Sequence, residues 1–211
     1  MTPTEFIQKF PTIRSLAEAN TADVLKIWKG LGYNRRALFL KKACEKLNQN
    51  SINETSFPKD KRELVSLPGI GQSTAGAIMA FAFNIPEPFI ETNIRAVFMY
   101  HFFKKSSSVS DTTILDVVQQ TIDVRNPREW YYALYDYGTF LKESLGKEKT
   151  ALHSKSNTYT KQSMFKGSNR EIRSTILSLF TLDDSPIRIS LDEIIQVVSE
   201  RLTQATKENI Q

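Results

Sequence analysis

The sequence predicts an all-α fold, and three observations lead to that prediction. Apolar residues recur at helical spacing along most of the 211 residues, alternating strand-like patterns are nearly absent, and Gly or Pro separates one helical segment from the next. Only residues 187–189 resemble a strand. Helices are predicted around 12–19, 22–29, 34–48, 60–66, 93–103, 127–143 and 170–180.

Three apolar stripes are the clearest of these helical signals. Their members are three or four residues apart, so they fall on one face of a helix. The stripes consist of Ala75, Ile78, Met79, Ala82 and Phe83, of Ile114, Leu115, Val118 and Ile122, and of Leu191, Ile194, Ile195, Val198 and Leu202. We therefore also expect a helix directly after Gly71, another near 114–122 and a third from residue 191.

The composition is that of an ordinary globular protein. Hydrophobic residues make up 40% of the chain and charged residues 24%. No apolar run approaches the roughly 18 residues of a membrane span, and residues 1–12 lack the features of a signal peptide. The single cysteine, Cys44, excludes an intramolecular disulfide and a cluster held by four cysteines of this chain. We expect a cytoplasmic monomer, nucleoid-associated if its source is a prokaryote, with no membrane partner.

Positive charge is concentrated in two stretches of a chain whose net charge is +5. Seven Lys or Arg residues stand against one acid in 26–46 and eight against three in 142–173, whereas 183–211 has three against six. Clustered positive charge suits a polyanion, because neutralising phosphates releases counterions. A solvated helix face would give the same pattern, so charge alone leaves both interpretations open.

Changes in composition predict three segments. Residues 1–145 carry most of the helical patterns, residues 146–169 are rich in Ser, Thr, Lys and Gln, and residues 170–211 regain helical spacing. We interpret 146–169 as a basic polar linker or loop. The last segment is interpreted as a small helical appendage, in which a helix, a turn and a helix would fit a partial winged-helix module.

The most informative segment is LPGIGQSTAGAI at 67–78. One helix ends near Ser66, Gly69 and Gly71 permit a tight turn with positive φ, and a second helix begins at once. Unpaired amides at the start of that helix, together with its dipole, form an anion site suited to a DNA phosphate. The alternative is an ordinary helix–helix turn, but LPGIG followed directly by an apolar stripe favours the anion site.

This segment resembles the hairpin of the helix-hairpin-helix DNA glycosylase superfamily, of the MutY and endonuclease III type. Three further stretches resemble MutY motifs in the same order, namely WKGLGYNRRA at 28–37, FIETNIRAV at 89–97 and ALYDYG at 133–138. The resemblance implies the glycosylase fold and a monofunctional DNA N-glycosylase of base-excision repair. Such an enzyme flips a mispaired or damaged base out of double-stranded DNA and hydrolyses its glycosidic bond.

Two positions decide which chemistry the resemblance implies. Ser73 replaces the lysine nucleophile of bifunctional relatives and cannot form their imine, so hydrolysis is expected. Glu91 occupies the position of the catalytic aspartate, where a carboxylate would stabilise positive charge developing on the sugar. The alternative is that Glu91 only caps the helix that follows it.

The resemblance also implies a set of DNA contacts. Tyr33 matches the aromatic residue that wedges into the base stack and offsets part of the cost of extruding a nucleotide, with a core tyrosine as the alternative. Arg36 and Arg95 are candidate phosphate contacts, with solvated arginines as the alternative. The other candidate DNA-binding residues are Gly69, Gly71, Gln72, Ser73, Thr74 and Asn93.

Two family features are missing from the sequence. Lys142 stands where the iron–sulfur cysteines begin in relatives, and no cysteine follows it. We therefore expect no iron–sulfur cluster, no other cofactor and no protein-bound metal, with an alkali ion held by hairpin carbonyls, as in some relatives, as the one alternative. The SEIMLQQTQ-like first helix of relatives, which carries a general-acid glutamate, is also missing, so we expect an amino-terminally truncated fold. Two rival interpretations remain: a catalytically impaired DNA-binding protein of the same fold, and a helical protein-interaction module.

Overall fold

A computed structural model of the chain describes residues 2–50, 56–106, 108–144, 164–180 and 189–208, with side chains described up to residue 201. The regular structure of these residues is helical, apart from one isolated bridge residue at Val109, which confirms the predicted all-α class. None of the described helices combines the length and the apolar character needed to cross a membrane. The helices are α1 (Pro3–Lys9), α2 (Ile13–Glu18), α3 (Thr21–Trp28), α4 (Asn34–Gln49), α5 (Lys61–Val65), α6 (Gln72–Phe83), α7 (Thr92–His101), α8 (Asp111–Thr121), α9 (Pro127–Ser144), α10 (Asn169–Leu179) and α11 (Leu191–Glu208).

The helix boundaries follow local capping residues. The Asp60 carboxylate accepts hydrogen bonds from the backbone N–H groups of Arg62 and Glu63 at 2.8 and 3.2 Å, which starts α5. The helix α6 ends at Asn84, which adopts the left-handed conformation with a φ of +55°. Such signals are local in sequence, and for that reason most predicted bounds agree closely with the observed ones.

The structure differs from the prediction at α1 (Pro3–Lys9), a helix that the sequence patterns do not predict. It begins with a capping box, in which Thr2 Oγ1 accepts from the Glu5 amide and Glu5 Oε2 accepts from the Thr2 amide. Its seven residues are too few for a helical period to be recognised. Of the strand-like residues 187–189 only Ile189 is described, and it lies outside any strand.

The chain separates into two compact units. The first consists of Met1–Glu45 with Lys161–Gln211, and the second of Lys46–Thr160. The predicted division into 1–145, 146–169 and 170–211 stays a prediction, because residues 145–163 lie outside the described residues. The core of the first unit is a cluster of buried residues from its first four helices, namely Phe6, Leu16, Ala17, Val24, Trp28, Ala37 and Cys44.

Cys44 is part of that core rather than a reactive thiol. Its side chain is 8% exposed, and burial is the main cause that raises the pKa of the thiol. The interpretation of a buried cysteine as a small hydrophobic residue therefore fits its position.

The second unit is organised around α7 and α9, which pack along each other. Ile94 and Met99 of α7 and Tyr131 of α9 are fully buried. The helix α6 approaches the segment that leads into α7 through Gly76, where an added Cβ would lie 2.6 Å from the Cβ of Phe89. The missing side chain at Gly76 therefore sets how closely α6 and this segment can pack.

Tyr131 ties the segment before α7 to α9. Its hydroxyl donates to the carbonyl oxygen of Glu87 at 2.9 Å and accepts from the amide of Phe89 at 3.1 Å, and burial raises the pKa of this phenol.

Tyr131→Phe keeps the ring but removes the partner of both backbone groups. We expect the free energy of unfolding, measured with urea, to fall by about 1–3 kcal/mol. Tyr132→Phe, at an exposed neighbouring position, is the matched control, and equal stability of the two variants would refute the role given to Tyr131.

Candidate active site and nucleic-acid interface

The hairpin between α5 and α6 is closed by a short turn, in which the Ile70 amide donates to the carbonyl oxygen of Leu67 at 3.2 Å. Gly69 has a φ of +79°, in the left-handed region that favours glycine. Gly71 differs from the prediction, because its φ is −89° and its backbone is extended. A Cβ at Gly71 would meet no heavy atom within 4 Å. The turn therefore requires glycine at Gly69, whereas Gly71 leaves open space in front of α6.

The first turn of α6 presents unpaired amides to the solvent. Gln72, Ser73 and Thr74 are exposed, and Gly71, as the N-cap, has no side chain that could accept from them. Within the described part of the chain, none of these three amides has a hydrogen-bond acceptor. Free N–H groups at the positive end of a helix attract anions. The predicted hairpin residues thus lie together in an arrangement that an anion can approach.

Glu91 is the N-cap of α7. Its Oε1 accepts from the amides of Asn93 at 2.6 Å and Ile94 at 3.0 Å, and the residue is half-buried. No described residue donates to Oε2. The capping role weighed for Glu91 is therefore confirmed, and the same two hydrogen bonds hold the carboxylate in one orientation while leaving one oxygen open.

Asn93 and Arg95, two candidate DNA contacts of α7, both have partners within the second unit. The side-chain oxygen of Asn93 accepts from the ammonium of Lys142. Arg95 forms a bidentate ion pair with Asp111, with Nε–Oδ1 and Nη2–Oδ2 distances of 3.1 and 2.8 Å. This pair occupies the Nε and Nη2 side of the guanidinium. A phosphate contact of Arg95 stays a prediction, and the phosphate would have to bind through Nη1 or displace Asp111.

Tyr33 lies in the turn between α3 and α4 of the first unit. Its side chain is 66% exposed, so the alternative of a core tyrosine is wrong. The φ of Tyr33 is +50° and that of Gly32 is +73°. A hydrogen bond from Trp28 Nε1 to the carbonyl oxygen of Gly32, at 2.8 Å, stabilises the turn. Side-chain-bearing residues in this conformation are uncommon and cluster at functional sites. The wedge role of Tyr33 stays a prediction that its exposure supports.

The basic residues of α4 divide into exposed and buried ones. Arg36 is exposed and remains a candidate phosphate contact. Lys41 is buried, and its Nζ donates to the carbonyl oxygen of Ala17 at 2.9 Å and to Glu45 Oε1 at 2.5 Å. Lys41 therefore stabilises the first unit. Not every basic residue of the stretch 26–46 lies on the surface, so the charge of that stretch overstates the positive charge available to DNA.

One face of α9 contributes residues that are not among the predicted site residues, although two of them belong to the ALYDYG motif. Tyr131, Tyr135, Gly138 and Lys142 follow one another at helical spacing, so they share a face. Burial and, secondly, the nearby Glu91 carboxylate raise the pKa of Tyr135 to about 12. This face of α9 therefore lies within electrostatic reach of Glu91. The spacing is visible in the sequence, but nothing in it indicates what the face packs against.

The residues at the position of the family's iron–sulfur cysteines do not fit a cluster. Lys142 carries an ammonium that donates to Asn93, and the one cysteine of the sequence, Cys44, is buried in the other unit. Among the residues that the structure describes, no group of three or more His, Cys, Asp or Glu side chains could hold a metal ion. The expectation that the protein works without a metal or cofactor stays a prediction.

Two curated relatives of the chain are adenine DNA glycosylases. That of Buchnera aphidicola subsp. Baizongia pistaciae is 34% identical over 143 residues, which cover 65% of this chain and 39% of that protein. That of Mycobacterium tuberculosis is 40% identical over 93 residues, which cover 44% of this chain and 30% of that protein. The chain thus spans about two fifths or less of the length of these two relatives.

The fold has a counterpart among solved structures. A thermostable thymine-DNA glycosylase superposes with a TM-score of 0.56 at 19% identity, over 64% of this chain and 63% of that chain. Residues 1–122, more than half of the chain, match the family described as HhH-GPD superfamily base excision DNA repair protein. This match spans three of the four motifs, at 28–37, 67–78 and 89–97, and confirms the resemblance inferred from them. The chain belongs to the HhH-GPD superfamily of base excision DNA repair proteins.

Proposed function

We propose that the chain acts as a DNA N-glycosylase of base-excision repair. It binds double-stranded DNA as a monomer, extrudes a mispaired or damaged base and hydrolyses the bond between that base and the deoxyribose. The observation that carries this proposal is the Glu91 carboxylate, whose Oε1 is held by two backbone N–H groups. Membership of a base-excision repair family and the activity named for its relatives, adenine DNA glycosylases, support the reaction class.

DNA binding would begin at the hairpin. The unpaired amides of Gln72, Ser73 and Thr74 can donate to the oxygens of one phosphate, and the open space at Gly71 lets that phosphate approach the backbone. Such a contact carries no sequence information, so it anchors any duplex equally. The exposed ring of Tyr33 would then enter the stack beside the extruded nucleotide.

Hydrolysis breaks the bond between C1′ of the sugar and the base nitrogen. The bonding electrons leave with the base, which takes up a proton, and a water molecule loses a proton as its oxygen forms the new bond to C1′. Positive charge develops on the sugar before water adds, and a fixed carboxylate stabilises it because it needs no reorganisation. Glu91 supplies that carboxylate, and its second oxygen is the one that faces the reacting centre or its water.

Ser73 determines the products. An amine at this position would form an imine with C1′ and lead to strand cleavage, but a serine hydroxyl cannot form an imine. The products are therefore the free base and an abasic site in an intact strand. Cleavage of the strand by the protein itself, without added alkali, would contradict this assignment.

The proposal is tested by a screen for base release. End-labelled duplexes carry adenine opposite guanine or oxidised guanine, or thymine or uracil opposite guanine, and alkali converts each abasic site into a cut. We expect cuts with at least one of these duplexes and none with the fully paired duplex. The screen also reports binding by gel shift, so a protein that binds the mismatched duplexes and releases no base from any of them is separated from an enzyme.

A catalytically impaired DNA-binding protein of the same fold is the second candidate, and one observation favours it. The Glu91 carboxylate already serves as a helix cap, and glutamate is one methylene longer than the aspartate that the resemblance implies. A misplacement of about 1 Å in a catalytic group can lower the rate on the order of 100-fold. Binding without base release in the screen would establish this candidate.

We expect the purified protein to contain neither iron nor zinc in stoichiometric amounts. A structural cluster or zinc site needs several thiolate or imidazole ligands, whereas the sequence has one cysteine and two histidines. Elemental analysis by mass spectrometry measures the metal content of the wild-type protein and of Cys44→Ala. One iron or zinc per wild-type chain would overturn the expectation, and its loss in Cys44→Ala would identify a ligand.

A further inference from the structure

The helix α9 rests directly on the first turn of α7. A Cβ at Gly138 would lie 2.7 Å from the carbonyl oxygen of Asn93 and 2.8 Å from its Cβ, closer than side-chain-bearing residues pack. The glycine is therefore what lets the two backbones approach at this point. One turn further along the same face of α9, the Lys142 ammonium donates to the side-chain oxygen of Asn93. Asn93 is thus fixed at its backbone by Gly138 and at its side chain by Lys142.

Asn93 also forms the shorter of the two hydrogen bonds that hold Glu91. Its amide lies 2.6 Å from Glu91 Oε1, compared with 3.0 Å for the amide of Ile94. Both Asn93 and Lys142 are half-buried, and a hydrogen bond donated by a charged group is stronger than one between neutral groups. A displacement of Asn93 would therefore be transmitted to the carboxylate.

We propose that Lys142 is a positioning residue for the Glu91 carboxylate and acts through Asn93. The inference rests on the proposed function, because it takes the Glu91 carboxylate to be the group that faces the sugar. The Lys142 ammonium fixes the side chain of Asn93, so the Asn93 amide keeps its bond to Oε1 and Oε2 keeps its direction. Lys142 is not assigned a contact with substrate.

Four variants distinguish an effect on the position of the Glu91 carboxylate from a loss of protein stability and from a change in net charge. Lys142→Met removes the ammonium but keeps an unbranched side chain, and Lys142→Arg restores a cation. Lys142→Gln replaces Lys142→Met in both measurements below if the latter does not fold. Lys105→Met removes the same charge at an exposed position of the same unit and is the matched control.

The first measurement is single-turnover base release on the duplex selected by the screen. We expect Lys142→Met to lower the rate by about 10- to 100-fold while the Kd for that duplex stays within about threefold, because the change affects orientation and not binding. Lys142→Arg should recover most of the rate, and Lys105→Met should match the wild type. Equal rates for Lys142→Met and Lys105→Met would overturn the proposal.

The second measurement is amide hydrogen exchange in the full 211-residue chain, and it does not depend on activity. The amides of Asn93 and Ile94 should exchange faster in Lys142→Met than in Lys105→Met, and Lys142→Arg should restore their protection. Unchanged exchange at both amides overturns the proposal, whatever the activity. If the wild type releases no base from any duplex, the proposed function fails, and the exchange rates alone decide whether Lys142 holds the Glu91 cap.

Discussion

Glu91→Gln is expected to lower the rate of base release by about 100-fold or more, the contribution usually found for a catalytic carboxylate. The glutamine keeps the size of the side chain, and its amide oxygen can still accept from the amides of Asn93 and Ile94. What it removes is the negative charge that would stabilise the sugar cation. DNA binding should remain unchanged or become tighter, because the change removes a negative charge that repels the phosphates. Single-turnover kinetics and gel-shift titration on the same duplex measure the two quantities.

The control for this prediction is the stability of the variant. Loss of the charge at the start of α7 should cost a few tenths to about 1 kcal/mol of unfolding free energy, as for other acids at helix N-termini. If Glu91→Gln shows only this loss and releases base at the wild-type rate, Glu91 is a cap and nothing more.

The variant Glu91→Asp tests whether the surroundings of residue 91 fit a glutamate better than an aspartate. The aspartate is the residue that the resemblance implies at this position, and it shortens the side chain by one methylene. Lower activity of Glu91→Asp would mean that the surroundings fit the longer side chain. Higher activity would mean that the glutamate is poorly placed, as the second candidate function requires.

Gly71→Asp is expected to weaken binding of every duplex by about 10- to 100-fold, which corresponds to losing the 1.5–3 kcal/mol of a hydrogen-bonded charge. The extended backbone of Gly71 and the open space at its Cβ allow an aspartate without strain. An aspartate at an N-cap also stabilises the helix it precedes. The variant should therefore fold at least as stably as the wild type while its carboxylate repels the phosphate.

Two further variants make the result at Gly71 specific. Gly71→Ala adds a side chain without charge, and it should reduce binding less than Gly71→Asp does. Thr112→Asp places the same charge in the first turn of α8, another exposed helix start of the second unit. Duplex affinity that is equal in Gly71→Asp, Thr112→Asp and the wild type, at moderate salt, would show that the hairpin does not hold DNA.

The hairpin is the part of the site that could be predicted best from the sequence. Its conformation is determined by Pro and Gly within a few residues, so residue type alone specifies a turn followed by a helix. The sign of φ at Gly71 could not be predicted, because glycine adopts either sign with similar ease. The predicted stripe of α6 is also partly wrong. Ala82 is exposed, whereas the small residues Gly76 and Ala80, which give little hydrophobic signal, are buried.

The surroundings of Glu91 could not be predicted because they depend on contacts between distant parts of the chain. Asn93 and Lys142 are 49 positions apart, and no local pattern specifies that α9 packs on the start of α7. Arg95 is a second example, since its ion-pair partner Asp111 belongs to another helix. The resemblance identified Asn93 and Arg95 of α7 as candidates for DNA contact, whereas their partners emerge only from packing.

The central claim, that this chain hydrolyses the bond between base and sugar with the charge of Glu91, is tested most directly by measuring the released base itself. The wild type and Glu91→Gln are incubated with the duplex selected by the screen, and the free base is quantified over time by mass spectrometry together with the abasic strand. We predict that the wild type releases free base in step with abasic sites in an unbroken strand, and that Glu91→Gln releases it at least about 100-fold more slowly. Absence of free base with the wild type, or its release at the same rate by Glu91→Gln, would contradict the claim.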